Sequence, residues 1–495
     1  MKSATLALLA TGVVISSLGV VWAGSLPTPE KKADSPAPIQ DQQGEVLFRN
    51  VRVFDGIGPA LSGPTNVLVR GNLIAGIGPN VSAAPGARII DGTGKTLMPG
   101  LIDVHVHMIF GAVSMEMLLS PDLTLEKADE IAAVEAEAML LRGFTSVRDV
   151  GGPSFTLKRA IDSGKYLGPR VWPSGPPISQ TSGHGDMRLP NEPSRRFTGQ
   201  MSRSERLGAG WIADGRDEVL TATRENLRSG ASHIKVMAGG GTSSEYDPVD
   251  VTQYTLDEMK AAVEAAEDWN TYVTVHAYHP RAVRRAIEAG VQCIEHGQML
   301  DEDTLKLMAE KGVWLSLQIL RESSPDMTPM RREKRKPVIE GQKQVWPMAK
   351  RLGVKLAWGT DFLFEPALNV EQNANLLLLK EWFTPAEILK MVTHDNAQLL
   401  ALSGLRSPYQ GTLGVVREGA LADLILVNGN PLENIDLLGD PVRNFSVIMK
   451  DGVVVERSLR SVIAEYFPTQ HPPAAARWRR EVQSAGCACD LLHAH

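Results

Sequence analysis

Only three cysteines occur in 495 residues, too few for disulfides to hold a chain of this length together. Cys293 falls in an apolar run and packs as a small hydrophobe. There is no surplus of positive charge either. Lys and Arg number 51 against 57 Asp and Glu, a formal net charge of −6, so the electrostatic footprint of a nucleic-acid binder is missing. Beyond the first two dozen residues no stretch is long and apolar enough to span a bilayer. What remains is ordinary globular material, 43% hydrophobic and 22% charged, enough for one large domain and a smaller one.

The N-terminus, "MKSATLALLATGVVISSLGVVWAG", has Lys2 as a short positive region, an uncharged apolar stretch, and small residues placed for cleavage after Ala23. Residues 1–23 therefore read as an export signal, implying a periplasmic or secreted protein. The uncharged length also approaches a membrane span, so an uncleaved anchor is the alternative. No cysteine sits near the cleavage site, which argues against a lipid-anchored form. Residues 24–44 are polar and proline-rich, a tether without structure of its own. At the far end, the tail 457–495 closes on "GCACDLLHAH". Cys487, Cys489, His493 and His495 have metal-binding chemistry, but their spacing matches none of the usual zinc frameworks, and an unstructured end is the simpler reading.

Between these ends the chain divides in three. Residues 45–97 alternate short β-prone runs with turns, and 406–456 repeat that texture, including a "KDG" hairpin turn, so the two flanks are expected to meet in one small β-sandwich. Residues 98–405 alternate strands with helices. Thr124 is placed to cap one helix, Thr255 to Glu258 form a capping box, and Pro280 opens a helix that stops at Gly290. Eight apolar runs follow in turn: "LIDVHVH", "TSVRDV", "RVWPSG", "HIKVMA", "YVTVHA", "QCIEHG", "VWLSLQ" and "KLAWGTD". Eight strands separated by helices predict an α/β fold, a (β/α)8 TIM barrel, whose chemistry lies at the C-terminal strand ends.

Those ends carry His105 and His107 on the first strand, Lys235 on the fourth, His276 on the fifth, His296 on the sixth and Asp361 on the eighth. Alternation sends His105 and His107 to one face, with Asp103 behind them. Four of the 11 histidines stand on the one face where a barrel does chemistry, a sorting not expected of core histidines. Neutral imidazoles with a carboxylate suit Zn2+ or a similar divalent ion. Lys235, crowded by cations at a barrel mouth, is expected to have a depressed pKa, and a free amine can add CO2 to become a bridging carbamate. An ion pair with Asp or Glu is the alternative. Asp103 either orients a ligand from behind or is simply a polar barrel residue, and His233 reads as a core residue with a satisfied hydrogen bond. "AGGG" at 238–241 lacks the partners of a phosphate cradle and is read as room for the loop beside the metals.

The order "GLIDVHVH", "HIKVMAGGG", "VTVHAY", "IEHG" and "WGTD" resembles the metal-dependent amidohydrolase superfamily, in the branch of prolidase-like dipeptidases, ochratoxin-hydrolysing amidases and imidazolonepropionase-like proteins. The likeness runs from about Glu45 to Glu456. It implies one metal on His105, His107 and Asp361, a second on His276 and His296, and carboxylated Lys235 bridging two divalent ions. It implies too that Asp361 relays a proton from an activated water to the leaving nitrogen, in hydrolysis of a dipeptide (Xaa-Pro or similar) or an N-acyl amino acid. The partner expected is thus a small amide. A homo-oligomer is compatible with the chain. The alternative is a cyclic-amide hydrolase, or an imidazolonepropionase-like enzyme or deaminase with a single metal, against which Lys235 weighs. Where this branch often reads "HAHG", the chain reads "HAYHP", so Tyr278 stands in a histidine's place and can donate a hydrogen bond to substrate. His184 in "SGHGD" is a second candidate substrate contact, with a structural loop histidine as the alternative. Nothing singles out Tyr246 or Arg321, although both could touch substrate.

Overall fold

The computed structural model describes residues 44–462 apart from 245, 322–326 and 460. The expected signal, all of the tether except Gly44, and the tail residues Cys487, Cys489, His493 and His495 lie outside the described residues. Among the described residues no helix is long and apolar enough to cross a membrane.

The flanking segments supply β1 (Val46–Val53), β2 (Thr65–Arg70), β3 (Leu73–Gly78), β4 (Arg88–Asp91) and β5 (Lys95–Pro99). The barrel follows with β6 (Leu101–Val106), β7 (Phe144–Asp149), β8 (Arg170–Pro173), two short strands β9 (Ile178–Ser179) and β10 (Trp211–Ile212), then β11 (Ile234–Met237), β12 (Val273–Ala277), β13 (Cys293–His296), β14 (Trp314–Leu317) and β15 (Lys355–Trp358). The chain returns to the flank with β16 (Leu424–Asn428), β17 (Phe445–Lys450) and β18 (Val453–Val454).

Strands from both flanks join in one sheet, ordered β18-β17-β16-β5-β1-β2-β3, with β4 also on β1. The two flanks therefore meet, as expected, in hydrogen-bonded strands. In β1 Asn50 takes φ 57° and the register with β2 shifts between Phe48 and Val51; β4 pairs with residues 46–49, and β5 with Arg52 and Val53. Phe48, Val51, Val67, Leu97, Leu424 and Met449 close a core separate from that of the barrel. The "KDG" turn joins β17 to β18 with Asp451 at φ 54° and Gly452 at φ 72°, the left-handed pair a two-residue hairpin turn requires.

All eight apolar runs are strands, and all pair in parallel. Ladders run β6-β7-β8 and β11-β12-β13-β14-β15. The ring is joined between β15 and β6 by the Asp361 amide donating to the His105 carbonyl (2.8 Å), and by Asn396, whose side-chain amide donates to the carbonyls of Ile102 (2.6 Å) and Trp358 (2.9 Å). Between β8 and β11 the Ser232 amide donates to the Pro173 carbonyl at 2.8 Å, and β9 pairs with β11 at Ile178 and Val236. The helices begin as their caps dictate. Thr124 accepts from the Lys127 amide, Thr255 and Glu258 satisfy each other's amides, and Pro280 fills a first-turn position.

Candidate active site

Alternation on β6 and the run just beyond it places both histidines inward, and acceptors fix each ring. His105 Nδ1 lies 2.8 Å from Glu295 Oε2, and His107 Nδ1 lies 3.0 Å from the Gly151 carbonyl. Because those partners only accept, each ring holds its proton on Nδ1 and presents a bare Nε2. Both Nε2 atoms stand 3.2 Å from the same oxygen, Asp361 Oδ1. Two lone pairs and an anionic oxygen aimed at one point repel one another unless a cation lies among them, so the donor set fits a divalent metal. Burial opposes charging His105, yet Asp361 and Glu295 raise its pKa above the ordinary histidine value.

His276 and His296 complete an imidazole cluster, with ring centroids 4.4 Å apart and that of His296 5.1 Å from His105. The His276 Nε2 donates to the Gly240 carbonyl at 3.1 Å, which leaves its Nδ1 lone pair free. Burial, reinforced by neighbouring rings and Lys235, holds His276 well below the usual histidine range. Burial likewise holds His296 there, Asp361 pulling the other way and His105 and Lys235 adding to it. Such rings stay neutral, the form that ligates metal. His296 Nδ1 is 3.9 Å from Asp361 Oδ2. Both residues have left-handed backbones, φ 77° at His296 and 57° at Asp361, a strain that tends to collect at functional sites. Burial would raise Asp361, but the His105, His107 and His296 rings hold its carboxyl well below the ordinary range.

Lys235 is 1% exposed, and among the described residues its ammonium makes neither hydrogen bond nor ion pair. The ion-paired alternative therefore fails. Burial depresses its pKa, with Glu295 and Asp361 pulling partly the other way. Asp103 does not touch an imidazole. It accepts from the backbone amides of His105 (3.0 Å) and Thr360 (3.1 Å) and from the Thr360 hydroxyl and the Gln372 amide, pinning β6 to the end of β15 where the ligands lie. His233 is a core residue stacked on Tyr272; its Nδ1 meets the Ser232 hydroxyl, whereas its Nε2 is buried without a partner among the described residues.

The His184 ring stacks on His276 at 4.0 Å, and its Nδ1 lies 2.7 Å from the Ser244 hydroxyl and 3.4 Å from Asp247 Oδ2. Gly241 makes that stack possible, since a Cβ there would stand 1.9 Å from the His184 ring. Tyr278 is buried with its ring 4.9 Å from His276 and 5.3 Å from His296. Burial raises its phenol above the ordinary tyrosine value. Tyr246 and Arg321 are exposed; Tyr246 donates to the Arg188 carbonyl and Arg321 pairs with Glu371.

Sequence reasoning passed over the acid that holds His105. Glu295 is wholly buried and paired with Arg148 at 2.5 Å, and Thr274 donates to it at the same distance. Burial would raise its pKa, but Arg148 and His105 keep it well below the usual carboxylate range. Asp247, behind His184, was passed over too.

Residues 96–456 match the Amidohydrolase family. The chain belongs to that family. It is 34% identical over 361 residues to ochratoxinase of Aspergillus niger, covering 70% of this chain and 72% of the relative. Among solved structures, an amidohydrolase is 36% identical with a TM-score of 0.76, covering 83% of this chain and 98% of its own. A prolidase crystallised with N-methylphosphonate-L-proline is 33% identical with a TM-score of 0.75, covering 84% and 100%. This amidohydrolase is accordingly a hydrolase of carbon–nitrogen bonds, from a family that is typically metal-dependent.

Proposed function

We propose that the chain is an exported hydrolase with two divalent ions, Zn2+ in the first instance, cleaving an amide bond in a dipeptide such as Xaa-Pro or in an N-acyl amino acid. The observation that carries the metal is the convergence of two bare imidazole nitrogens on Asp361 Oδ1, each at 3.2 Å. The observation behind the second ion is Lys235, buried and unpaired among the described residues, beside His276 and His296 with lone pairs to spare. Carboxylated on Nζ, Lys235 would become an anion between the two histidine sets. When bound, such ions activate a water and polarise the scissile carbonyl. Asp361, ionised, accepts the water's proton and returns it to the leaving nitrogen. Tyr278 keeps its proton and donates it in a hydrogen bond to substrate, and His184, held by Ser244 and Asp247 through Nδ1, offers Nε2. The relatives that act on ochratoxin or proline dipeptides support the substrate class.

A second reading, a single-metal enzyme acting on a cyclic amide or as a deaminase, is favoured by one observation: only His105, His107 and Asp361 form a compact three-ligand group among the described residues. One experiment separates the two. Metal-reconstituted protein in bicarbonate buffer is screened against Xaa-Pro dipeptides and N-acyl amino acids. Turnover that collapses in Lys235→Ala supports the first reading; turnover only of cyclic amides or aminopurines, insensitive to bicarbonate, supports the second.

A further inference from the structure

The compact ligand group comes from the two strands that the barrel joins last. His105 and His107 lie on and just past β6, and Asp361 follows β15, yet among the described residues no strand ladder pairs β15 with β6. The spacing of the three side chains therefore depends on groups that reach across this seam.

One crossing is a buried carboxylate. Asp103 Oδ1 takes the amides of His105 (3.0 Å) and Thr360 (3.1 Å), one from each side, and Oδ2 takes the Thr360 hydroxyl (2.8 Å) and Gln372 Nε2 (3.0 Å). Asp103 is fully buried and makes no ion pair with a described residue, so its place is held by these donors alone. Gln372 is the donor that comes from outside the two strands. It opens the helix Gln372–Leu377 and is buried, and its amide has a single orientation. Arg142 Nε donates to Oε1 at 3.0 Å, and because a guanidinium cannot accept, Nε2 is left facing Asp103. Arg142 is in turn paired with Glu135.

The segment just before Gln372 reaches the other histidine. Asn369 Nδ2 donates to the Gly111 carbonyl at 3.0 Å, and the Gly111 amide donates to the His107 carbonyl at 2.6 Å. The seam is tight there, since a Cβ on Gly111 would stand 2.7 Å from the His107 carbonyl oxygen and 3.0 Å from that of Phe362.

We infer that Gln372 is a positioning residue: by locking Asp103 across the seam it fixes the spacing of His105, His107 and Asp361, and with it how tightly that group holds a divalent ion. The inference rests on the metal-dependent reading proposed above, and goes beyond it by naming a side chain that hydrogen-bonds to none of the ligands.

The test compares wild type with Gln372→Met, Asp103→Asn and the double variant Asp103→Asn/Gln372→Glu. Methionine keeps the length and removes both hydrogen bonds. Asparagine alone sets an NH2 group against the NH2 of Gln372 or, turned over, against the amides of His105 and Thr360. The double variant reverses the polarity instead. The new asparagine's oxygen keeps the two amides, its NH2 group donates to the new glutamate, the glutamate still accepts from Arg142, and the Thr360 hydroxyl turns to accept. Zn2+ affinity, measured by competition with a chelating dye, should fall about 10- to 100-fold in each single variant and return to within about threefold of wild type in the double variant. Wild-type affinity in Gln372→Met, or a double variant no better than Asp103→Asn, overturns the inference. Hydrogen exchange over residues 101–107 and 355–361 of the metal-free proteins, followed by mass spectrometry, reads the clamp without metal. It should quicken in both single variants and slow again in the double variant. If wild type binds no Zn2+ but exchange follows that pattern, the metal reading falls and the clamp stands. Exchange unchanged in Gln372→Met brings the clamp down whatever the metal does.

Discussion

Glu295→Gln removes one charge and keeps the shape, and the structure says what that costs. The carboxylate accepts at both oxygens: Oε2 from His105 Nδ1 at 2.8 Å, Oε1 from Arg148 and Thr274 at 2.5 Å each. Glutamine has one accepting oxygen. If it serves His105, the NH2 group faces Arg148 and Thr274 and the guanidinium is left buried without an anion; if it is turned the other way, His105 loses its acceptor. Breaking a buried ion pair from one side costs about 3–5 kcal/mol, and loss of the hydrogen bond that orients a metal ligand weakens metal binding about 10- to 100-fold. Denaturant unfolding at neutral pH reads the first quantity; metal retained against graded chelator reads the second. The double variant Arg148→Met/Glu295→Leu separates them, since removing both charges should restore most of the stability while His105 still lacks its acceptor. A Glu295→Gln protein within about 1 kcal/mol of wild type that holds metal equally well would refute this account of how His105 is held.

Two further outcomes follow from other parts of the molecule. Gly241→Ala should push the His184 ring off its stack on His276, because the new Cβ falls 1.9 Å from it, at a cost of about 1–3 kcal/mol; unchanged turnover and stability would show that the ring is free to move. Asp129, on the helix Leu125–Leu141, has its carboxyl raised from 3.8 to about 6 by burial and by Glu126, against Arg159 and Lys165. The folded state then holds that proton more tightly than the unfolded one, so stability drains away as pH rises through this window. Asp129→Asn should gain about 1 kcal/mol at pH about 8, after discounting for solvent screening, and nothing near pH about 3.5; equal denaturation midpoints at both would contradict the shift.

Most of the barrel was legible because its strands are short apolar runs closed by capped helices, and the inward pair at His105 and His107 follows from alternation alone. Glu295 was hidden by that same rule. On β13 it neighbours His296, so alternation sends one of the two away from the barrel interior. The φ of 77° at His296 turns the strand end, and both side chains meet His105 or Asp361. No periodicity announces a left-handed residue that is not glycine. Asp247 was hidden for a different reason: it comes from the loop after β11 and meets His184 across a separation of 63 residues.

Under the proposed function, the barrel mouth holds metal through these side chains. Metal per chain, measured by elemental analysis after exhaustive dialysis of wild type, His105→Ala/His107→Ala and Lys235→Ala, tests it most directly. Two divalent ions are expected in wild type, with the histidine and lysine variants each losing metal. Wild-type protein that retains no divalent ion, or variants that retain as much as wild type, would contradict it.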